Sequence, residues 1–306
     1  MIVLYIIIIL IILVLIELLA EKVYMHSDEY KSFLGGAEKF KNIPNHIQIC
    51  NIGSGPALYG VDYSACFRKG FNFATKQQNF KYGFRLLKHF NTNIESGAII
   101  IIIICVPMSF GKNNNYDQKD FSDKFYGILP KSEIDNYSVK RLIISRHPLA
   151  IKYLKKVKNK LHDRKTKQIS IQSIGNEPNI IKIWKEEFDL RDLVDASQIN
   201  NHVIVFQEKK EILQDGINYC KKNNWTPIFV IPPLPFETKK HISEEFIKAF
   251  FYENLQEIIK NNNVRVLDYY NEDFSDDYFM NDIFLNNRGK KYFSKKLFRD
   301  IKNAMY

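Results

Sequence analysis

A chain of 306 residues with 45% hydrophobic and 14% aromatic side chains carries ample apolar material for a packed core, and a 25% charged fraction excludes global disorder. The formal charge of +10 favours anionic partners, whether lipid headgroups, nucleic acid or acidic polymers, without choosing among them. Cys50, Cys66, Cys105 and Cys220 are scattered, with no CxxC pair and no His/Cys cluster at ligand spacing, so no disulfide framework, metal site or cofactor is expected.

The chain opens on an almost unbroken aliphatic run, Ile2 to Ile16, which reaches about 19 residues with Glu17-Leu18-Leu19-Ala20. As a helix that is roughly 28 Å, close to the hydrocarbon thickness of a bilayer. It lacks the basic start, short core and small-residue exit of a cleaved signal peptide, so residues 2–20 read as an uncleaved membrane anchor. A buried core helix would rarely be apolar on every face. Lys22, Lys31 and Lys39 all follow the run, which by the positive-inside rule alone puts the body in the cytoplasm; long domains translocate largely regardless of such charge. Polar residues 21–44, with Gly35-Gly36, read as a stalk, and 45–306 as the domain.

Ile47 to Ile52 is the first expected strand, turning on Gly53-Ser54-Gly55-Pro56 into a helix-like Ala57-Leu58-Tyr59. Gly70 to Ala74 is the second strand. Phe80, Phe84, Leu87 and Phe90 then mark an amphipathic helix. Ala98 to Val106 holds six consecutive isoleucines. It is too short to span a bilayer, and its β-branched run suits a strand buried on both faces of a parallel sheet. Residues 111–205 read as an insertion, with a loop at Asn113-Asn114-Asn115 and a turn at Gly175-Asn-Glu-Pro178. Within it, 140–167 holds eleven Lys/Arg against one acid, Asp163. That run reads either as a solvated helix face, with Leu149, Tyr153, Leu154 and Val157 turned inward, or as an anionic-polymer patch at Lys140, Arg141, Arg146, Lys155 and Lys156. Nucleic acid is not expected, because the run lacks aromatic interleaving and the motifs of known nucleic-acid folds.

Alternation resumes with a helix over Glu208–Asn223 and a strand over Pro227–Ile231. A long helix follows, capped by Ser243 with Glu244 and Glu245 in its first turn, then a strand over Asn263–Leu267 and a last helix from about Gly289. Strands alternating with helices predict an α/β fold: a three-layer α/β/α sandwich around a parallel, flavodoxin-like sheet, preceded by a transmembrane helix.

Asn51-Ile52-Gly53-Ser54 with Leu58-Tyr59-Gly60, the segment Phe71-Asn72-Phe73-Ala74, and Leu285-Asn286 with Gly289 resemble three sequence blocks of the SGNH (GDSL-like) hydrolase superfamily. The likeness is to its membrane-anchored members of bacterial cell-envelope polysaccharide and teichoic-acid functions. It implies a serine nucleophile, a histidine base and an aspartate orienting that base, acting through an acyl-enzyme. The positions that should hold them here are Gly55, Phe284 and Asn281, which offer no hydroxyl, no imidazole and no carboxylate. Gly55 and Ala74 fall at the oxyanion-like positions, and the GxND-like block is replaced by Val106-Pro107-Met108-Ser109. Candidate substitutes are Ser54 and Asp282, with His147, His162, His202 or His241 as a base. The resemblance thus implies a catalytically silent, membrane-anchored protein whose domain is extracytoplasmic and whose partner is a glycan or envelope polysaccharide. Alternatives are an esterase or acyltransferase rearranged around Ser54, and an anionic-polymer binder acting through 140–167.

Overall fold

The computed structural model describes residues 2–107, 109–111, 122–162 and 178–305. In chain order its principal elements are α1 (Ile2–Met25), α2 (Asp28–Leu34), β1 (Ile47–Ile52), α3 (Gly55–Gly60), β2 (Gly70–Asn72), α4 (Phe80–His89) and β3 (Ile94–Ile103). There follow α5 (Val139–Arg146), α6 (Pro148–His162), α7 (Asn179–Glu187), α8 (Val203–Lys222), β4 (Thr226–Ile231), α9 (Glu244–Ile247), α10 (Glu253–Asn262), β5 (Arg265–Asp268) and α11 (Asn287–Met305). Between α9 and α10 the helix passes through one π turn, Lys248–Tyr252. The chain divides into two compact units, one formed by 1–41 with 118–174, the other by 42–117 with 175–306.

The larger unit is the α/β sandwich. Its five strands are all parallel in the order β2-β1-β3-β4-β5, which is the flavodoxin-like order. Side chains alternate across a strand, and here each face has its own cover. Ile49, Ile99, Ile101, Ile103, Ile228 and Val230 share one cluster with Ala57 of α3 and Phe293, Leu297, Phe298 and Ile301 of α11. On the other face α4 lies on β1, with Gly83 brought against Ile52, and Gly216 of α8 admits the ring of Phe84. Central β3 is therefore buried on both sides, with Ile99 to Ile103 at most 2% exposed. Each such isoleucine contributes about 1.5–3 kcal/mol relative to exposure. Ser243 caps α9, its hydroxyl accepting from the Phe246 amide. Residues 178–205, read from the sequence as part of an insertion, supply buried Ile181, Trp184, Phe188, Leu190 and Leu193 to this same unit.

The smaller unit is helical. Val3 to Ile16, Leu18 and Leu19 of α1 are exposed, so one helix long and apolar enough to cross a membrane stands with that surface uncovered. α1 runs to Met25, beyond the expected end at Ala20. Residues 21–44, read as a stalk, are largely helical and bury Glu21, Tyr30, Leu34, Ala37 and Phe40. The Ser27 side chain caps α2, accepting from the Tyr30 amide, and Gly35 closes it at φ 56°.

The end of α1 holds the start of α6. Buried Glu21 accepts from the Leu149 and Ala150 amides at 2.8 and 2.7 Å, and Glu17 meets His147 Nδ1 at 2.9 Å. A carboxylate across the first turn of a helix satisfies amides that have no intrahelical partner and complements the helix dipole. Lys152 continues the contact, its ammonium 2.5 Å from Glu29 and over the Tyr24 ring. These contacts fix which side of α6 faces α1, and they correct the expected inward face of the basic run. Tyr153 and Leu154 lie one and two residues past Lys152, at about 100° per residue, and are 58% and 64% exposed. Arg141 faces inward to Asp123 at 2.9 Å, while Lys140, Arg146 and Lys156 are exposed. The side chains of Lys155, Val157 and His162, the stretch 163–177 with Asp163, and the Asn113–Asn115 loop lie outside the described residues.

Candidate functional site

The ends of β1, β2 and β3 converge on the turn at Gly53. Its φ of 143° is one that side-chain-bearing residues rarely adopt. A Cβ there would also lie 2.8 Å from Cβ of Ala57 and 3.1 Å from that of Ile103. The Gly53 amide donates to Gln78 Oε1 at 2.8 Å, and Gln78 Nε2 donates to the Phe73 carbonyl at 2.8 Å, so one buried glutamine ties the turn to the end of β2. Below the turn Asn51, with no exposed surface, accepts from the Tyr63 hydroxyl at 2.9 Å and donates to Asn72 Oδ1 at 3.0 Å. Asn72 in turn donates to the Ala57 carbonyl and accepts from the Ala74 amide at 2.9 Å. Buried amides in this state are satisfied and fix a single geometry.

Gly55 opens α3, with Pro56 beside it in the first turn. A Cβ built on Gly55 would stand 2.7 Å from Cε1 and Cζ of Phe284. The space a nucleophile's side chain would enter is therefore filled by that ring, which also packs on Tyr59 with centroids 5.0 Å apart. Asn281 holds Phe284 there. Its Oδ1 accepts from the Ile283 and Phe284 amides at 3.1 and 2.8 Å, and the Met280 amide donates to the Phe284 carbonyl. Asn281 thus shapes a turn. Asn286 caps α11, accepting from the Arg288 and Gly289 amides, while a Cβ at Gly289 would fall 2.2 Å from the Tyr278 carbonyl oxygen. Gly53, Asn72, Asn286 and Gly289 each carry a backbone duty at these turns.

The candidate substitutes are each engaged in local structure of their own. Ser54 is half-buried, and its hydroxyl makes no cap bond to α3. The Asp282 carboxylate accepts from the Ile180 amide at 3.4 Å, at the start of α7. His202 is buried against Phe206 and Phe250, His241 sits in the turn after 236–239, and His147 pairs with Glu17 in the smaller unit. Among the described residues no histidine is hydrogen-bonded to Ser54. Ala74, at an oxyanion-like position, has its amide committed to Asn72.

Beside the turn a crevice is lined by Pro56, Cys105, Val106, Pro232, Pro233, Leu234, Tyr270 and Ile283, and encloses about 10 Å³. That is room for about one water molecule. Burial pushes the Cys105 thiol up to about 12, so it offers no thiolate near neutral pH. Burial likewise raises Tyr270, with the Asp268 carboxylate adding to the effect. Among the described residues the lining supplies no activated nucleophile and no base.

Gln78 and Tyr63 escaped sequence reasoning because a single amide in a loop and a single tyrosine in a turn carry no pattern. The Glu17–Glu21–His147 group also escaped it. Its potential ligand atoms lie within 4.8 Å of one another, and only the i, i+4 spacing of the two glutamates hinted at it. In the described structure those atoms are engaged by one another and by the amides of α6.

The sequence matches no protein-family profile, and no curated protein matches it either. Among solved structures the chain is similar to a Bacteroides fragilis protein provisionally assigned as an acylhydrolase. The TM-score is 0.40 at 9% identity, covering 88% of this chain and 94% of that one. A likeness at that level carries no argument about chemistry.

Proposed function

We propose that this protein is a membrane-anchored, SGNH-like domain without hydrolase or acyltransferase chemistry, acting as a binding partner in cell-envelope or extracellular polysaccharide assembly. The observation that carries the reading is the Phe284 ring lying where any side chain on Gly55 would have to project. The fully engaged Asn51–Asn72–Tyr63 network and the committed Ala74 amide support it. Such an arrangement keeps the turn that once would have displayed a nucleophile and leaves it nothing to display. With a crevice of about 10 Å³, glycan contact falls to the outer surface of the domain. The anchor reading rests on α1, which is long and apolar enough to cross a membrane and is exposed from Val3 to Ile16. Purified full-length protein in detergent should give no turnover of p-nitrophenyl acetate above a heat-denatured control. Saturable turnover at a rate that falls on Gly55→Val, which crowds the same space further, would overturn the proposal.

A further inference from the structure

The face of α5 presents a second surface that the anchor reading leaves unused. Val139 and Ile143, one turn apart, are 65% and 55% exposed, and Arg146 follows on the same side. Arg141, on the opposite side, turns inward to Asp123. The stripe runs on to His147, which meets Glu17 at 2.9 Å. Glu17 is the first charged residue after the apolar run of α1, so the stripe meets α1 where its unbroken aliphatic run gives way to charge. Exposed Lys140 flanks it.

We infer that α5 is an interfacial helix: Val139 and Ile143 enter the boundary of an anionic bilayer while Lys140 and Arg146 pair with lipid phosphates. The inference rests on α1 being a membrane anchor. Two exposed apolar side chains with flanking cations, on a helix whose end meets the hydrocarbon-length helix through His147 and Glu17, form a surface whose charge complements phosphodiesters. Four cations of the run then fall into two groups by position. Arg141 and Lys152 hold the fold together, and Lys140 and Arg146 face lipid.

The test uses full-length protein in phosphatidylcholine vesicles with and without one-third phosphatidylglycerol, carrying brominated acyl chains. The native Trp184 and Trp225 are 0% and 4% exposed, so an added tryptophan is read as a difference from the parent. Leu10→Trp reports the anchor, and Ile143→Trp and Val139→Trp, both at exposed positions, report α5. Deep bromines should quench Leu10→Trp. Shallow bromines should quench both α5 reporters, more strongly in anionic vesicles, and Lys140→Glu with Arg146→Glu should cut that quenching by at least half. Quenching of Leu10→Trp without either α5 reporter overturns the inference and leaves the anchor standing. Absence of quenching at all three sites removes the anchor and the inference together. Unquenched α5 reporters whose emission shifts with soluble polyphosphate instead would make this a polymer-binding face, and a charge reversal without effect would refute the phosphate pairing.

Discussion

Two regions at one end of the sheet sit a few residues apart and differ in kind. Beneath the Gly53 turn, Asn51, Asn72 and Tyr63 form a buried network in which the amides and hydroxyl find partners between 2.9 and 3.2 Å. On top of the turn, the crevice is walled by prolines, aliphatics and a protonated thiol, and Phe284 closes on Gly55. The lower region is polar and the upper one apolar. The difference teaches that the Gly53 turn is maintained by the polar residues below it and asks nothing of the groups above it.

That contrast can be broken first from below. Asn51→Leu removes the partner of the Tyr63 hydroxyl and of Asn72 at a site with no exposure. It should cost about 2–4 kcal/mol in urea unfolding, the penalty for stranding buried polar groups. A loss below the error of the midpoint would mean that the network is not what holds the turn.

From above, Gly55→Ser should cost about 1–3 kcal/mol, because its Cβ meets Phe284 carbons at 2.7 Å. Phe284→Ala in the same chain should recover most of that cost, so the two changes couple with favourable sign in a double-mutant cycle. Additive effects would show that the ring does not fill the space above Gly55. Asn281→Ala, which strands the Ile283 and Phe284 amides at a partly exposed turn, should cost about 1 kcal/mol and loosen the ring. Its readout is faster exchange of those two amides.

The mildest probe is chemical. With the Cys105 thiol held near 12 by burial, the thiolate fraction at pH 8 is about one in ten thousand. Iodoacetamide on folded protein should therefore modify half-buried Cys66 well before Cys105. Equal rates would mean that the crevice is open and its thiol activated.

The fold was largely legible in the sequence because its signals are local and redundant. The isoleucines of β3 announce a strand covered on both faces, and Ser243 with Glu244 and Glu245 announces a helix start. Near-identical aliphatic content in α1 meets the opposite fate: uncovered over Val3 to Ile16, where β3 is at most 2% exposed from Ile99 to Ile103. Length and period separate the two, and both can be read from a string of letters. The inward face of α6 was not readable, since it is set by Glu21 and Glu29 of distant helices rather than by its own apolar spacing. At the turn, the residue types at positions 55, 281 and 284 are in the sequence. That the Phe284 ring lies against Gly55 depends on contacts between segments far apart in the chain, which no spacing encodes.

The most direct measurement is intact-protein and peptide mass spectrometry after incubating the full-length chain with an excess of a fluorophosphonate. The account predicts no adduct on the segment 51–60, and none on the same segment of Ser54→Ala. A stoichiometric phosphonyl adduct on Ser54, lost in Ser54→Ala, would contradict it.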